Sequence, residues 1–238
     1  MSGRLFGVGV GPGDPELLTL KAKRILEDVD YICTPKAEKG GKSRAFEVVN
    51  DALDTPARVK ELLFPMVHDG EELKRAWKEA ADEMVRLLSE GNDLAFITLG
   101  DPLLYSTYNY VLDNLGREEE IPVETVPGIN SIGASAARLN LPLAKGDEKL
   151  TILPVPSGPE ELESILTVHE NIAFLKVSRN YKLLVDKLEE FGLKSSSYLV
   201  SRCGQGREEV ITEKLDTYLD EEVPYLSVVI SKSSSASP

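Results

Sequence analysis

Three glycine-bearing segments have the residue types and spacing of ligand-binding loops. The first, GVGVGPGDPELLTLKA, spans residues 7–22 and places Gly9, Gly11 and Gly13 directly after a predicted strand. Glycine permits backbone turns that a Cβ would block. Open α/β sheets bind their ligands at the carboxyl ends of parallel strands. The segment therefore predicts either a ligand-binding turn or a tight strand-to-helix turn that binds nothing.

The first segment fails three familiar glycine patterns. The dinucleotide pattern G-x-G-x-x-G begun at Gly9 needs glycine at position 14, where Asp14 stands. A Walker phosphate loop ending at residues 41–43 needs glycine at position 36, where Lys36 stands. The common loop of Rossmann-type methyltransferases carries an acidic residue two positions before its first glycine, where Leu5 stands. All three patterns are excluded, and a tight strand-to-helix turn without a ligand stays open.

The second and third segments also follow predicted strands. They are TLGDPLLYST at residues 98–107 and VPGINSIGASAARLNLPLA at residues 126–144. Asp101 could accept hydrogen bonds from ligand hydroxyls or an amine, or only cap its own turn, as Asp often does. Ser106 and Thr107 could cap the following helix. Small residues in the third segment allow close approach to a neighbouring helix or to a ligand.

Basic side chains cluster in three loops, although the chain carries 27 Lys and Arg against 40 Asp and Glu, a net charge of −13. The loops are TPKAEKGGKSR (34–44), FLKVSRN (174–180) and YLVSRCGQGREEV (198–210). Arginine suits bidentate contact with carboxylates, whereas each charge taken singly could be a solvated surface residue. The cations of interest are Lys36, Lys39, Lys42, Arg44, Arg179, Arg202 and Arg207.

Composition argues against several other classes of protein. The acidic balance disfavours nucleic-acid binding and a polybasic membrane contact. Two Cys and two His, in no metal-ligand spacing, exclude a Cys/His structural zinc site, and Cys33 and Cys203 are expected to be inert thiols. No run of 18 apolar residues and no signal peptide is recognised, so we expect a cytoplasmic protein.

Strands and helices alternate along the chain, which predicts a mostly parallel sheet covered on both faces. The clearest helix runs from about Asp69 to Glu90 and carries apolar residues three and four positions apart. The segment GREEEIP, beginning at residue 116, is the predicted domain boundary. It separates a first domain, residues 1–116, from a second domain, residues 117–231, in which we expect some antiparallel strand pairing. Residues 232–238 are predicted to be a disordered tail.

Taken together, these segments resemble the tetrapyrrole methylase family. The resemblance rests on GVGPGDPELLTLKA, GDPLLYST, VPGINS with its small-residue helix, and SRCGQGREEV, in the family's order over residues 3 to about 231. GDPLLYST and the third segment are most similar to the branch that methylates C20 of precorrin-2 or cobalt-factor II (cobalt-sirohydrochlorin) in cobalamin biosynthesis. Siblings that act on other ring positions, diphthine synthase, and a non-catalytic nucleotide-binding module remain alternatives.

The resemblance implies two α/β domains, with a mostly parallel N-terminal sheet and a mixed C-terminal sheet. It implies S-adenosylmethionine in a cleft between them, S-adenosylhomocysteine as its product, and a homodimer. Matched positions imply donor contacts from Leu99, Asp101, Leu104, Ser106, Thr107, Ser131, Ile132, Lys176, Val177, Leu199, Leu226 and Ser227.

The implied substrate is a reduced tetrapyrrole, which the resemblance leaves either metal-free or cobalt-bound. Because the donor is already activated, the protein mainly orients two reactants, which accounts for about 7–11 kcal/mol of a barrier. Asp14 and Tyr105 are candidates for the base that takes the C20 proton, and no protein metal site is expected. Gly11, Pro12 and Gly13 would border the ring, and Lys36, Lys42, Arg44, Arg179, Arg202 and Arg207 would meet its carboxylates.

Overall fold

The chain divides into two units, Met1–Asn130 and Ser131–Pro238. The computed structural model describes residues 2–37, 43–65, 69–115, 121–212, 214–219 and 221–232. The division falls later than the predicted boundary after residue 116, because the strand Val123–Val126 pairs with Leu5–Gly9 in the first sheet. The core of the predicted boundary segment and the tail from residue 233 lie outside the described residues.

The first unit contains a five-stranded sheet in which neighbouring strands are parallel, as predicted. Its strand order is β3-β2-β4-β1-β5, and β1 and β4 are buried along their whole length. The strands are β1 (Leu5–Gly9), β2 (Tyr31–Lys36), β3 (Arg58–Leu63), β4 (Leu94–Thr98) and β5 (Val123–Val126). The helices are α1 (Leu20–Asp28), α2 (Arg44–Ala52), α3 (Gly70–Ser89) and α4 (Tyr108–Asn114).

Side chains that alternate across this sheet build a hydrophobic core on each face. Ala95 and Ile97 of β4 pack with residues of α1 and α2. Leu94 and Phe96 of the same strand pack instead with residues of α3 and α4. Helices therefore cover both faces of the sheet, and the loops lie at the ends of its strands.

Helix α3 matches its prediction. The sequence also predicts a helix near Leu104 to Leu115, but α4 begins later, at Tyr108. Asp69 caps α3 by accepting the backbone N–H groups of Glu71 at 2.9 Å and Glu72 at 3.4 Å. Before α4, Tyr105 has a φ of +53°, which a right-handed helix does not allow. The turn that begins at Asp101 therefore delays the helix. In the described part of the chain, no helix is long and apolar enough to cross a membrane.

The second unit contains a mixed five-stranded sheet with the order β6-β7-β10-β8-β9. β6 and β7 are parallel, while β10 runs antiparallel to both of its neighbours and β8 to β9, which confirms the predicted antiparallel pairing. The strands are β6 (Leu150–Pro154), β7 (Asn171–Leu175), β8 (Ser197–Ser201), β9 (Val210–Thr212) and β10 (Ser227–Lys232). The helices are α5 (Ser131–Leu139), α6 (Pro159–Val168) and α7 (Tyr181–Glu190).

The two faces of the second sheet carry different helices. Leu199 of β8 packs in the core that contains residues of α6 and α7, and its neighbour Val200 packs with Ala134 of α5. The small residues of α5 thus contact the sheet, which is the helix-packing alternative. Lys232, assigned to the tail from the sequence, instead ends β10, is buried, and donates to the Leu143 carbonyl oxygen at 3.1 Å.

Candidate functional site

The three glycine-bearing loops meet at the carboxyl edge of the parallel sheet. Since β1 lies between β4 and β5, the ends of these strands are neighbours. A Cβ on Gly9 would lie 2.6 Å from the Gly100 carbonyl oxygen and 2.7 Å from the Gly128 nitrogen. A Cβ on Gly128 would lie 2.2 Å from the same Gly100 oxygen. Glycine is needed for this backbone contact, which joins the three motifs into one site.

Backbone hydrogen bonds connect the first two loops directly. Val10 donates its N–H to the Thr98 carbonyl oxygen at 3.0 Å, and Gly100 donates to the Gly11 oxygen at 2.7 Å. Gly11 and Gly100 have φ values of +82° and +74°, which glycine adopts without strain. A Cβ on Gly100 would meet nothing nearer than the Asn130 Cα at 3.9 Å. Glycine at position 100 therefore leaves space beside the edge that a side chain would fill.

The Asp101 carboxylate bridges the second and third loops. Its Oδ1 accepts the N–H of Leu103 at 2.9 Å, and its Oδ2 accepts the N–H of Gly128 at 3.1 Å. The first bond is the local turn cap considered from the sequence. The second joins residues 27 positions apart and has no local sequence signal.

Ser106 caps α4, as predicted for that residue. Its hydroxyl accepts the N–H of Tyr108 at 3.1 Å and lies 2.9 Å from the Thr98 hydroxyl, with both serine and threonine buried. Thr107 makes no side-chain capping bond. The Ser106 side chain therefore holds the start of α4 against the end of β4.

Tyr108 is a site-supporting residue that the sequence analysis did not select. Its ring occupies the space above Gly7, where a Cβ would lie 2.1 Å from the ring carbon Cζ. Its hydroxyl lies 3.1 Å from the Thr125 hydroxyl on β5. Burial raises the pKa of Tyr108, and the hydrogen bond with Thr125 opposes this only in part. The tyrosine ties the helix after the second loop to the two strands that carry the other loops.

The two candidate bases, Asp14 and Tyr105, lie on different loops of this edge. Asp14 accepts the Glu16 N–H at 2.9 Å and so caps the 3₁₀ turn Pro15–Leu17. Tyr105 is 48% exposed and has left-handed backbone geometry, which a non-glycine residue adopts only under strain. Such strain is concentrated at functional sites, so Tyr105 fits the candidate site better than a plain surface residue would.

In the second unit, predicted donor residues gather at one edge of the mixed sheet. β7 and β8 both run antiparallel to β10, so their carboxyl ends lie at the same edge as the start of β10. Lys176 and Val177 directly follow β7, and Leu226 directly precedes β10, which begins at Ser227. Arg202, directly after β8, donates its N–H to the Leu226 oxygen at 2.7 Å.

Several of these side chains are taken up by packing inside the second unit. Leu199, Val177 and Ile132 are fully buried or nearly so. The Ser227 hydroxyl lies 2.7 Å from the Ser201 hydroxyl and donates to a backbone oxygen. These side chains therefore serve the packing of the second unit. Ser131, half-buried, begins α5 together with Ile132.

The basic loop of the first unit is partly neutralised by its own carboxylates. Lys36, with only 13% of its side chain exposed, pairs with Glu61 at 2.5 Å, because β2 and β3 run parallel in close register. Arg44 pairs with Glu47 at 3.0 Å one helical turn away. Lys42 lies outside the described residues. This loop therefore carries less uncompensated positive charge than its composition suggests.

The arginines of the second unit differ in their surroundings. Arg202 pairs with Glu208 at 3.2 Å and has a φ of +50°. Arg179 and Arg207 are exposed, within short 3₁₀ turns. Both can therefore meet an anion from solvent without first breaking a buried contact.

An ion pair that the sequence analysis missed holds α5 in place. Arg138 donates through Nε to the two carboxylate oxygens of Glu209 at 3.1 and 3.0 Å, and Gly204 donates its N–H to Glu209 at 2.9 Å. Burial raises the pKa of Glu209, but these donors outweigh it and leave the pKa below its ordinary value. The partners are 71 residues apart, so no local pattern could reveal them.

Both cysteines are buried, as expected of inert thiols. Burial raises the pKa of Cys33 to about 12 and that of Cys203 to about 11. The thiolate is the reactive form of cysteine. At neutral pH both side chains are therefore protonated and unreactive, and neither is a candidate nucleophile.

Known proteins share both sequence and fold with this chain. The model of the family described as Tetrapyrrole (Corrin/Porphyrin) Methylases matches residues 4–218. A probable cobalt-precorrin-2 C(20)-methyltransferase of Methanocaldococcus jannaschii is 44% identical over 96% of each chain. A precorrin-2 C(20)-methyltransferase of Sinorhizobium sp. is 32% identical over 96% of this chain and 94% of the relative. The solved cobalt precorrin-4 methyltransferase shares the fold, with a TM-score of 0.72, 21% identity and coverage of 96% and 94%. The chain therefore belongs to the tetrapyrrole methylase family.

Proposed function

We propose that this chain is an S-adenosylmethionine-dependent methyltransferase that methylates C20 of cobalt-precorrin-2 in cobalamin biosynthesis. The observation that carries the proposal is the 44% identity, over nearly the whole of both chains, with the probable cobalt-precorrin-2 enzyme. The metal-free ring is the second candidate substrate, because the relative named for precorrin-2 is also matched over nearly its full length.

The loops of the first unit fit a methyl donor of this kind. Gly100 leaves open space at the end of β4, and the exposed apolar side chains of Leu103, Tyr105 and Ile129 offer contact surface in the adjoining loops. When bound, the donor supplies a methyl group already activated on a sulfonium. We assign the donor in this unit to the loop that carries Leu99, Asp101, Leu104, Ser106 and Thr107.

A second set of donor positions is proposed in the other unit. Their common feature is that they lie at the first turn of α5 or at the edge where β7 and β8 end and β10 begins, apart from Leu199 within β8. The four positions at that edge support the proposal through their common location, not through free polar side chains. It comprises Ser131, Ile132, Lys176, Val177, Leu199, Leu226 and Ser227.

The tasks of the protein in this reaction are orientation and removal of one proton. No nucleophile is required of the chain, since the new bond forms between C20 of the ring and the methyl carbon. Asp14 and Tyr105 are the candidates to accept the C20 proton. If either does so, Asp14→Asn or Tyr105→Phe should lower kcat about 100-fold or more with KM little changed. If both variants keep the kcat of the wild type, water is the acceptor of the proton and both assignments are contradicted.

The tetrapyrrole carries several carboxylates, which suit basic side chains found in both units. Gly11, Pro12 and Gly13 are proposed to border the ring. Exposed Arg179 and Arg207 favour this assignment more than Lys36, which is already paired with Glu61. The residues proposed to bind the carboxylates of the ring are Lys36, Lys42, Arg44, Arg179, Arg202 and Arg207.

We further propose a homodimer that works in the cytoplasm, as the family resemblance implies. Light scattering should give twice the 26.1 kDa of one chain. A mass equal to one chain at micromolar concentration would contradict the dimer. Cell fractionation tests the compartment.

Turnover with two rings tests the proposed function and its preferred substrate. Purified protein is incubated with S-adenosylmethionine and either cobalt-precorrin-2 or metal-free precorrin-2, and formation of S-adenosylhomocysteine is followed. We expect turnover, with the higher kcat/KM for the cobalt-bound ring. A higher value for the metal-free ring would reverse the substrate order. Absence of turnover with both rings would overturn the function.

A further inference from the structure

We infer that Asp101 is a positioning residue: its carboxylate fixes the Gly-Asp-Pro turn against the loop that begins at Gly128, instead of holding the methyl donor by its charge. The inference rests on the proposed function, because it concerns the same edge of the first unit. It changes the role that the family resemblance suggests for Asp101, which is direct contact with the donor.

The two carboxylate oxygens have one backbone donor each. Oδ1 accepts from Leu103 at 2.9 Å and Oδ2 from Gly128 at 3.1 Å. An ionised carboxylate only accepts hydrogen bonds, so it suits two N–H donors that arrive from different loops. Asparagine has the same shape but only one acceptor oxygen, so it can satisfy one of the two.

The Gly128 end of this link lies in the most crowded part of the edge. A Cβ on Gly128 would come within 2.8 Å of backbone atoms of Gly9, as well as 2.2 Å from the Gly100 oxygen. Gly128 therefore has little room to move toward the loops after β1 and β4, and its N–H is held by the Asp101 carboxylate. The chain continues through Ile129 and Asn130, whose Cα is the nearest atom to the space left open by Gly100.

This arrangement makes a specific mechanical prediction. Loss of the hydrogen bond between Gly128 and Asp101 should loosen the third loop. The strands should stay in place, since β5 pairs with β1 independently of Asp101. Both reactants should then be affected, because we assign the donor to the second loop and place the ring beside the first, and Gly128 contacts the backbones of both. A direct ligand of the donor would affect donor affinity alone.

The experiment compares wild type with Asp101→Asn and Asp101→Ala, and uses Asp69→Asn as the matched control. Asp69 also accepts two backbone N–H groups, but both belong to the first turn of α3. The measurements are amide hydrogen exchange of Gly128 in the ligand-free protein, the Kd of S-adenosylhomocysteine by calorimetry, and KM and kcat for the tetrapyrrole.

We expect Gly128 exchange to be at least ~10-fold faster in Asp101→Ala, with Asp101→Asn between it and wild type because one hydrogen bond can be kept. In both variants the Kd for S-adenosylhomocysteine and the KM for the ring should rise together. Misplacement of about 1 Å costs up to ~100-fold in rate, so kcat should also fall. The Asp69→Asn control should leave all of these unchanged.

Two results would overturn the inference. One is unchanged Gly128 exchange in Asp101→Ala, which can keep neither hydrogen bond. The other is a weaker affinity for S-adenosylhomocysteine with unchanged ring KM and kcat. Failure of the proposed function looks different, because the wild type would then bind no S-adenosylhomocysteine or methylate no ring, while the exchange of Gly128 still reports on the link.

Discussion

Gly9, Gly100 and Gly128 lie so close together that one added methyl group at Gly128 would overlap the Gly100 oxygen at 2.2 Å. Gly128→Ala must therefore push the third loop away from the other two. We expect a loss of about 1–3 kcal/mol in the free energy of unfolding, measured by urea denaturation, as is usual for overpacking. The affinity of the Gly128→Ala protein for S-adenosylhomocysteine should fall as well.

Gly70→Ala is the matched control for this substitution. Gly70 begins α3, and a Cβ there would meet nothing within 4 Å. Alanine should leave stability unchanged or raise it by about 0.5–1 kcal/mol, since alanine favours a helix over glycine. Equal stability of the Gly128→Ala protein and wild type would contradict the close contact of the three loops.

The sequence contains the glycines of the site but not their contacts. Gly9, Gly100 and Gly128 can each be selected from the residues that surround them. Their meeting depends on β1 lying between β4 and β5, which no local pattern specifies. The same limit applies to Asp101, whose local bond to Leu103 follows from its residue type, whereas the bond to Gly128 follows from the topology.

At the scale of elements, Glu83 joins α3 to the edge strand β3. It pairs with Arg86 on its own helix at 3.0 Å and with Lys60 on the strand. Hydrogen bonds from Arg86 and Lys60 lower the pKa of Glu83 to about 2 from 4.5. Because the folded pKa is lowered, the stabilisation is present at neutral pH and is lost as pH falls from about 4.5 toward 2.

Glu83→Gln should therefore lower the free energy of unfolding at pH 7 by about 1 kcal/mol, a value reduced for solvent screening of a partly exposed pair. The difference from wild type should shrink as pH falls through 4 and below. Asp82→Asn is the control, since Asp82 pairs with Lys78 on the exposed face of the same helix. An effect of Glu83→Gln that is the same at pH 7 and pH 3 would contradict the assigned pKa.

Element prediction succeeded where the local pattern is long and failed where it is interrupted. Helix α3 has 20 residues, a clear apolar stripe and an Asp cap, and its bounds were predicted closely. The sequence also predicts a helix from Glu16 to Leu26, but α1 begins at Leu20, because the 3₁₀ turn Pro15–Leu17 comes first. β5 has four residues and was assigned to the second domain, although its partner is β1.

At the scale of the whole molecule, the sequence predicts two α/β units and the kinds of sheet they contain, but not where one ends. Each unit has its own sheet and its own buried cores. The division after Asn130 follows from strand pairing across about 120 residues between β1 and β5. The positive charge that is available to a ligand also depends on the fold. Lys36 belongs to a basic loop in the sequence, but in the structure it is paired with Glu61.

The position of the transferred methyl group tests the account most directly. The protein is incubated with S-adenosylmethionine carrying a ¹³C-labelled methyl group and with cobalt-precorrin-2 or precorrin-2, and the product is examined by mass spectrometry and carbon NMR. We predict one added methyl group per ring, bonded to C20, with one equivalent of S-adenosylhomocysteine formed. Label on any other ring carbon, or an unlabelled ring after prolonged incubation with both substrates, would contradict it.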